Sequence, residues 1–207
     1  MHYELATLTL RLGTLNAAVA AIDAYVHAPE ARGTLLGCWF SDVGELNQIA
    51  VLRRFADPAE RDRERERGLF SANPFGCGEF LTALDQTSYQ GFPWMVPLDP
   101  AAWGTVGPIF EIRTYEYKLG GLQPTIDAWE AAMPARSAVS PCLVAMYALD
   151  GTPRFTHIWP AASLNDRSAT RAEAVRIGVW PPKGGPAWLT TNMKSTMFLP
   201  TAISPLK

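Results

Sequence analysis

Apolar and polar residues alternate along Tyr3-Glu-Leu-Ala-Thr-Leu-Thr-Leu10 and again along Phe110-Glu-Ile-Arg-Thr-Tyr-Glu-Tyr117. That period of two predicts half-buried strands over 3–10 and 110–117. Each run ends at a glycine turn, Gly13 or Gly120, and gives way to a period near 3.6. Leu15, Val19, Ile22 and Val26 mark one amphipathic helix, and Leu122, Ile126, Trp129 and Met133 mark another. Strands follow over 34–41 with 47–55, and over 142–149 with 154–160. The turn signals between them are Gly44 and Asp150-Gly151-Thr152. A second helix opens at Asp57-Pro58 with Glu60 behind it, and at Ser163 with Asp166 behind it, both in the manner of a capping box. Last strands are expected at 80–84 and 196–199. The order β-α-β-β-α-β therefore occurs twice, the split ferredoxin-like unit in tandem.

The two copies also align. At an offset of 107, Glu4, Thr7, Leu12, Gly13 and Leu15 meet Glu111, Thr114, Leu119, Gly120 and Leu122. Two further stretches agree at offsets of 106 and 108, namely 52–61 with 158–167 and Pro97-Leu98 with Pro205-Leu206. Between the copies, Pro97-Leu-Asp-Pro-Ala-Ala-Trp-Gly-Thr-Val-Gly-Pro108 reads as a linker without helix or ladder. The expected domains are 1–98 and 108–207.

Composition narrows the function classes. With 48% apolar and 18% charged residues, the 207-residue chain can bury a core and is not disordered. The net charge of -2 hides an acidic half, with 13 acids against 8 bases in 1–107, and a basic half, with 7 against 10 in 108–207. No polyanion-binding footprint results, so nucleic acid is not an expected partner. No apolar run is long enough for a membrane span, and no targeting segment is read at the start, which points to a cytoplasmic protein. Cys38, Cys77 and Cys142 are odd in number and lack C-x-x-C spacing, against a disulfide scaffold or a zinc knuckle.

The strings Phe110-Glu-Ile-Arg-Thr-Tyr-Glu-Tyr-Lys118, Glu45-Leu-Asn-Gln-Ile-Ala-Val-Leu52 and Phe155-Thr-His-Ile-Trp159 resemble the NIPSNAP family. The resemblance spans both halves. It implies an α+β class with two tandem ferredoxin-like units joined sheet to sheet as an α+β barrel. It brings no catalytic set to carry over, since members are linked to trafficking, mitochondrial quality control and bacterial pathways. The wider barrel superfamily includes cofactor-free monooxygenases, haem-degrading enzymes, lactone isomerases and ligand sensors, an analogy of fold that does not fix function.

Candidate chemistry concentrates in the second half. Arg113 and Tyr115 share one strand face, and His157 and Trp159 share another. If the two faces coincide, Arg113 can meet a carboxylate or phenolate, His157 can act as a general base, and the aromatics can form walls. The competing expectation is that these side chains simply fill the barrel, with Arg113 paired to Glu111 or Glu116. The first half has Ala6, Leu8, Val51 and Arg53 at the corresponding positions. A second candidate is the loop Trp180-Pro-Pro-Lys-Gly-Gly-Pro-Ala-Trp188, either a lid in which Lys183 meets an anion between Trp180 and Trp188, or a connection stapled by two aromatics. The run Arg61-Asp-Arg-Glu-Arg-Glu-Arg67 balances its own charges and reads as a solvated helix face.

No nucleotide motif is present, His2, His27 and His157 lack metal-ligand spacing, and Cys142 has no visible base partner beyond His157. No cofactor is expected. Haem enters only through the fold analogy, with His157 as its axial ligand. The sequence therefore points to a protein that binds or transforms a small anionic or aromatic molecule in its second half, without a metal. The alternative is a scaffold that uses the barrel as a docking surface. Either a monomer with an intrachain barrel or a homodimer satisfies the pattern.

Overall fold

The computed structural model describes residues 1–103 and 105–207. The first unit comprises β1 (His2–Leu10), α1 (Leu15–Val26), β2 (Thr34–Val43), β3 (Gln48–Phe55), α2 (Pro58–Leu69) and β4 (Leu81–Gly91). A one-turn helix α3 (Pro100–Trp103) precedes the second unit, which comprises β5 (Ile109–Tyr117), α4 (Leu122–Ser137), β6 (Val144–Ala148), β7 (Arg154–Ala161), α5 (Leu164–Arg176), α6 (Gly185–Trp188) and β8 (Leu189–Pro200). Both charged helices start as their capping residues dictate. Asp57 accepts from the Glu60 amide and Ser163 from the Asp166 amide, while Glu60 and Asp166 reach back to the amides of Ala56 and Ala162.

Eight antiparallel strands close within one chain in the order β1-β3-β2-β8-β5-β7-β6-β4. Within each unit the ladders run nearly full length, β1 on β3 and β4, and β5 on β7 and β8. The seams between units are short. Trp39–Val43 meets Met197–Pro200, and Tyr89–Gly91 meets Met146–Ala148. Beyond the seams the walls are free to diverge. Inside the barrel lie Tyr3, Leu36, Trp39, Leu52, Phe110, Val144 and Ile158, and the end nearest the linker is plugged by Leu98 and Leu206 with Trp103 and Val106. Trp39 folds back across Gly37, where any side chain would collide with its ring. The helices cover the outer faces, over a core with Ile22 and Phe75 in the first unit and one with Trp129 and Phe155 in the second.

Several expectations change. The final strands are much longer than 80–84 and 196–199, because β1 and β5 supply partners along their whole length. The 142–149 strand shortens to Val144–Ala148. The stretch 97–108 is not free of helix, since Pro100 opens one turn there and Leu98 is buried; Gly104 within it lies outside the described residues. The run 61–67 is not merely solvated: α2 turns Glu64 inward, where it is buried and bonded to Arg53 and Arg67. Among the described residues, no helix is long and apolar enough to cross a membrane.

Candidate functional site

Odd and even positions of β5 and β7 divide cleanly between barrel interior and helix-facing surface. Arg113 pairs in register with His157, and Glu111 with Trp159. This places Arg113, Tyr115, His157 and Trp159 on one face, beneath α4 and α5. From above, α4 contributes Trp129, Met133 and Arg136, whose spacing of four and three puts them on a single side of the helix. Trp180, from the loop after α5, completes the roof. Ring centroids lie 4.7 Å apart for Trp129–His157, 4.9 Å for Tyr115–His157, 4.8 Å for Trp129–Trp180 and 5.8 Å for Trp159–Trp180.

The hydrogen bonds fix the state of the histidine. His157 is 1% exposed. Burial, with Arg113 close by, drives its pKa well below the ordinary value, so the ring is neutral at physiological pH. The Trp159 indole donates to Nδ1 at 2.5 Å, so the proton of the neutral ring belongs on Nε2. That Nε2–H has no acceptor among the described residues. The expected role of general base is thus displaced, because the basic nitrogen is occupied and the free one is a donor.

Arg136 is also an unsatisfied donor. Arg136 is 3% exposed; among the described residues its guanidinium bonds to the Ser140 carbonyl at 3.0 Å, and it stacks 4.3 Å from the Trp159 ring and 5.6 Å from Trp180. Its Nε–H finds no partner among the described residues, and burial lowers its pKa. Arg171 on α5 is lowered as well, by burial and then by Arg113. Arg113 is fully engaged: it donates to Tyr115 at 2.6 Å and pairs with Glu111. Glu111 also receives Arg167 and the Ser195 hydroxyl. Burial alone raises the pKa of its carboxyl, but these donors outweigh it and hold the value at about 2. Glu111 therefore pairs directly with two arginines, Arg113 and Arg167, while Arg136 and Arg171 form no ion pair among the described residues.

The first unit solves the same problem evenly. Glu4, the counterpart of Glu111, bonds to Arg53 at 2.6 Å; Arg53 bonds to Glu64, and Glu64 to Arg67 at 2.7 Å. Arg65 reaches Glu4 at 3.8 Å and, across the seam, Asp150 at 2.7 Å. Three arginines face three carboxylates.

Lys183 and Trp188 do not join the cluster. Lys183 is exposed on a 430 Å³ groove between the alanine face of α4 (Ala128, Ala131, Ala132, Ala135) and Val179, Pro181 and Pro182. Trp188 lies over Gly184 and fastens the loop. Cys142 is buried, with its thiol pushed up to about 12, which leaves it no thiolate for attack at neutral pH. A haem does not fit beside His157, whose faces are covered by Tyr115, Trp129 and Phe155. Among the described residues, no three His, Cys, Asp or Glu side chains gather as a metal site requires.

A family model described as NIPSNAP matches residues 3–88 and, a second time, residues 110–205. The chain belongs to the NIPSNAP family. This tandem NIPSNAP protein is 23% identical over 167 residues to the NipSnap homolog of Dictyostelium discoideum, covering 79% of this chain and 70% of the relative. Among solved structures, an anthrone oxidase-like protein matches with a TM-score of 0.65 at 10% identity, over 100% of this chain and 94% of its own. A candidate monooxygenase of Lactobacillus acidophilus NCFM matches with a TM-score of 0.63 at 12% identity, over 96% of this chain and 92% of its own. At such identities the likeness establishes the α+β barrel of the NIPSNAP chain and nothing finer. Sequence reasoning passed over Arg136, Arg167 and Arg171. Their signal was present: Arg136 continues the Trp129–Met133 stripe, and Arg167 and Arg171 are four apart on a helix whose start was legible.

Proposed function

We propose that this NIPSNAP chain binds a small organic anion with an aromatic body in its second unit, where the anion accepts hydrogen bonds from His157 Nε2–H and Arg136 Nε–H. The observation that carries the reading is the pair of buried, unpartnered donors inside an aromatic enclosure. A buried donor without an acceptor costs about 1–3 kcal/mol, and an anion would satisfy both donors together while offsetting the arginine excess. Trp180 roofs the enclosure, and its chain neighbours Val179 and Pro181 line the alanine groove, so the ligand would enter by displacing the indole, with Lys183 at the groove drawing the anion in. Tyr115 and Trp159 wall the site, and Arg113, held by Glu111 and Tyr115, raises the local positive potential. Trp188 anchors the loop that Trp180 swings on. The names of the structural neighbours make oxygen consumption in the presence of an aromatic anion a second readout.

The test is quenching of tryptophan fluorescence by 1-naphthoate, compared with its uncharged counterpart 1-naphthalenemethanol. Naphthoate is expected to bind at least about tenfold more tightly, a difference of about 1.4 kcal/mol, and Arg136→Gln to remove that preference. Equal binding of the two compounds, or an unchanged preference in Arg136→Gln, would return the cluster to the role of packed core in a scaffold protein.

A further inference from the structure

The opposite face of the same strands carries a second feature. On the barrel interior, inward residues change character along each strand, from the plugged end toward the open one. β1 runs Tyr3, Leu5, Thr7, Thr9; β5 runs Phe110, Ile112, Thr114, Glu116; β7 runs Ile158, Thr156, Arg154; β8 runs Phe198, Thr196, Lys194. The result is a cup of 710 Å³ with an apolar floor, a hydroxyl wall and a charged rim, to which both units contribute. Its size falls within the ~300–1,000 Å³ of small-molecule sites.

The wall is prearranged. Thr114 and Thr156 hydroxyls lie 2.8 Å apart, and Thr156 is 3.0 Å from the buried Tyr89 hydroxyl, forming a connected chain that can donate or accept at either end. Arg154 is pinned by Thr87 at 2.6 Å and by the Asp150 and Thr152 carbonyls at 2.8 and 3.0 Å. At the rim Glu45, Asp85 and Glu116 face Arg154 and Lys194, so opposite charges nearly cancel. Such a lining offers a strongly charged ligand little, and hydroxyls suit partners that hydrogen-bond without charge.

We infer that the cup is a second ligand site, separate from the arginine-rich enclosure, and that it takes an uncharged organic molecule with an apolar body and hydroxyl or carbonyl groups. The apolar body rests on Leu5, Ile112 and Phe198, and the polar groups meet the threonine wall.

The probe is Nile red, an uncharged carbonyl-bearing dye whose emission rises on entering an apolar site. The intact chain is expected to bind it, with naphthoate failing to displace it. Thr7→Trp and Thr196→Trp fill the wall from opposite units, and each is expected to weaken binding at least about tenfold, or about 1.4 kcal/mol. Arg136→Gln is expected to leave it unchanged. Circular dichroism identifies the variants that fold, and because Thr7 and Thr196 are both partly exposed at the wall and belong to different units, either folded variant carries the test. No emission rise with the intact chain, unchanged binding in a folded wall variant, or loss in Arg136→Gln would each overturn the assignment.

Discussion

The two units bury the same acid in the same place and neutralise it differently. Glu4 and Glu111 occupy equivalent strand positions beneath equivalent helices, and both are almost inaccessible to solvent. Around Glu4 the arginines and carboxylates are matched, every member pairs with an opposite charge, and the network joins β1, β3 and α2. Around Glu111 positive charge is in excess, and two arginines, Arg136 and Arg171, form no ion pair among the described residues, the first of them deeply buried. The two copies thus share the buried acid and differ in the charge gathered around it. Buried pairs are weak sources of net stability but expensive to break, whereas an unmatched buried cation lowers stability wherever it sits. The difference between the copies is what the proposed anion site rests on.

That contrast can be broken first at Arg53. Replacing it as Arg53→Met removes the cation that the buried Glu4 and Glu64 share, leaving Glu64 to Arg67 and Glu4 to the 3.8 Å contact with Arg65, and chemical denaturation is expected to show a loss of about 3–5 kcal/mol. Acid titration probes the other copy. The Glu111 carboxyl, at about 2 in the folded chain against an ordinary 4.5, favours the folded state above pH 4.5 and gives up that contribution as pH falls toward 2. The amount is on the order of 3 kcal/mol, and Glu111→Gln is expected to flatten this part of the stability–pH curve. Smaller effects should be symmetric: Asp57→Ala and Ser163→Ala each remove a helix cap and are expected to cost about 1 kcal/mol in their respective units. Last, Arg136→Met is expected to change stability by less than about 1 kcal/mol, because relief of burial offsets the lost stacking on Trp159 and Trp180. A loss at Arg136 as large as that at Arg53 would erase the distinction between the copies.

What could be read from the sequence was whatever neighbouring residues determine. Asp57 with Glu60, and Ser163 with Asp166, fix helix starts within four residues, and the alternation in β1 and β5 fixes which side chains share a face. The cluster of Arg113, Tyr115, His157 and Trp159 could be foreseen as two separate faces, and only the β5–β7 register shows them to be one. The burial of Glu64 is not legible because alternating charge on a helix normally meets water; Arg53, which draws it inward, lies 11 residues away on another element and is itself held by Glu4. The tautomer of His157 depends on the Trp159 indole, a neighbour visible in the sequence whose direction is not. The cup could not be foreseen strand by strand, because it depends on how briefly the seams hold the two units together.

The seam at β2 has a consequence for how the chain is made. Beyond its ladder with β8, β2 is held by the Ser204 hydroxyl on the Cys38 amide and by the Trp39 indole on the Leu206 carbonyl, partners 166 and 167 residues away. On a ribosome, the apolar strand Leu35-Leu-Gly-Cys-Trp-Phe40 leaves the exit tunnel long before anything that can cover its outer edge. An uncovered apolar edge is a template for pairing with other chains. The first unit thus waits, sticky, for the second, and translation pauses between the two halves would raise the yield of aggregate rather than of folded protein.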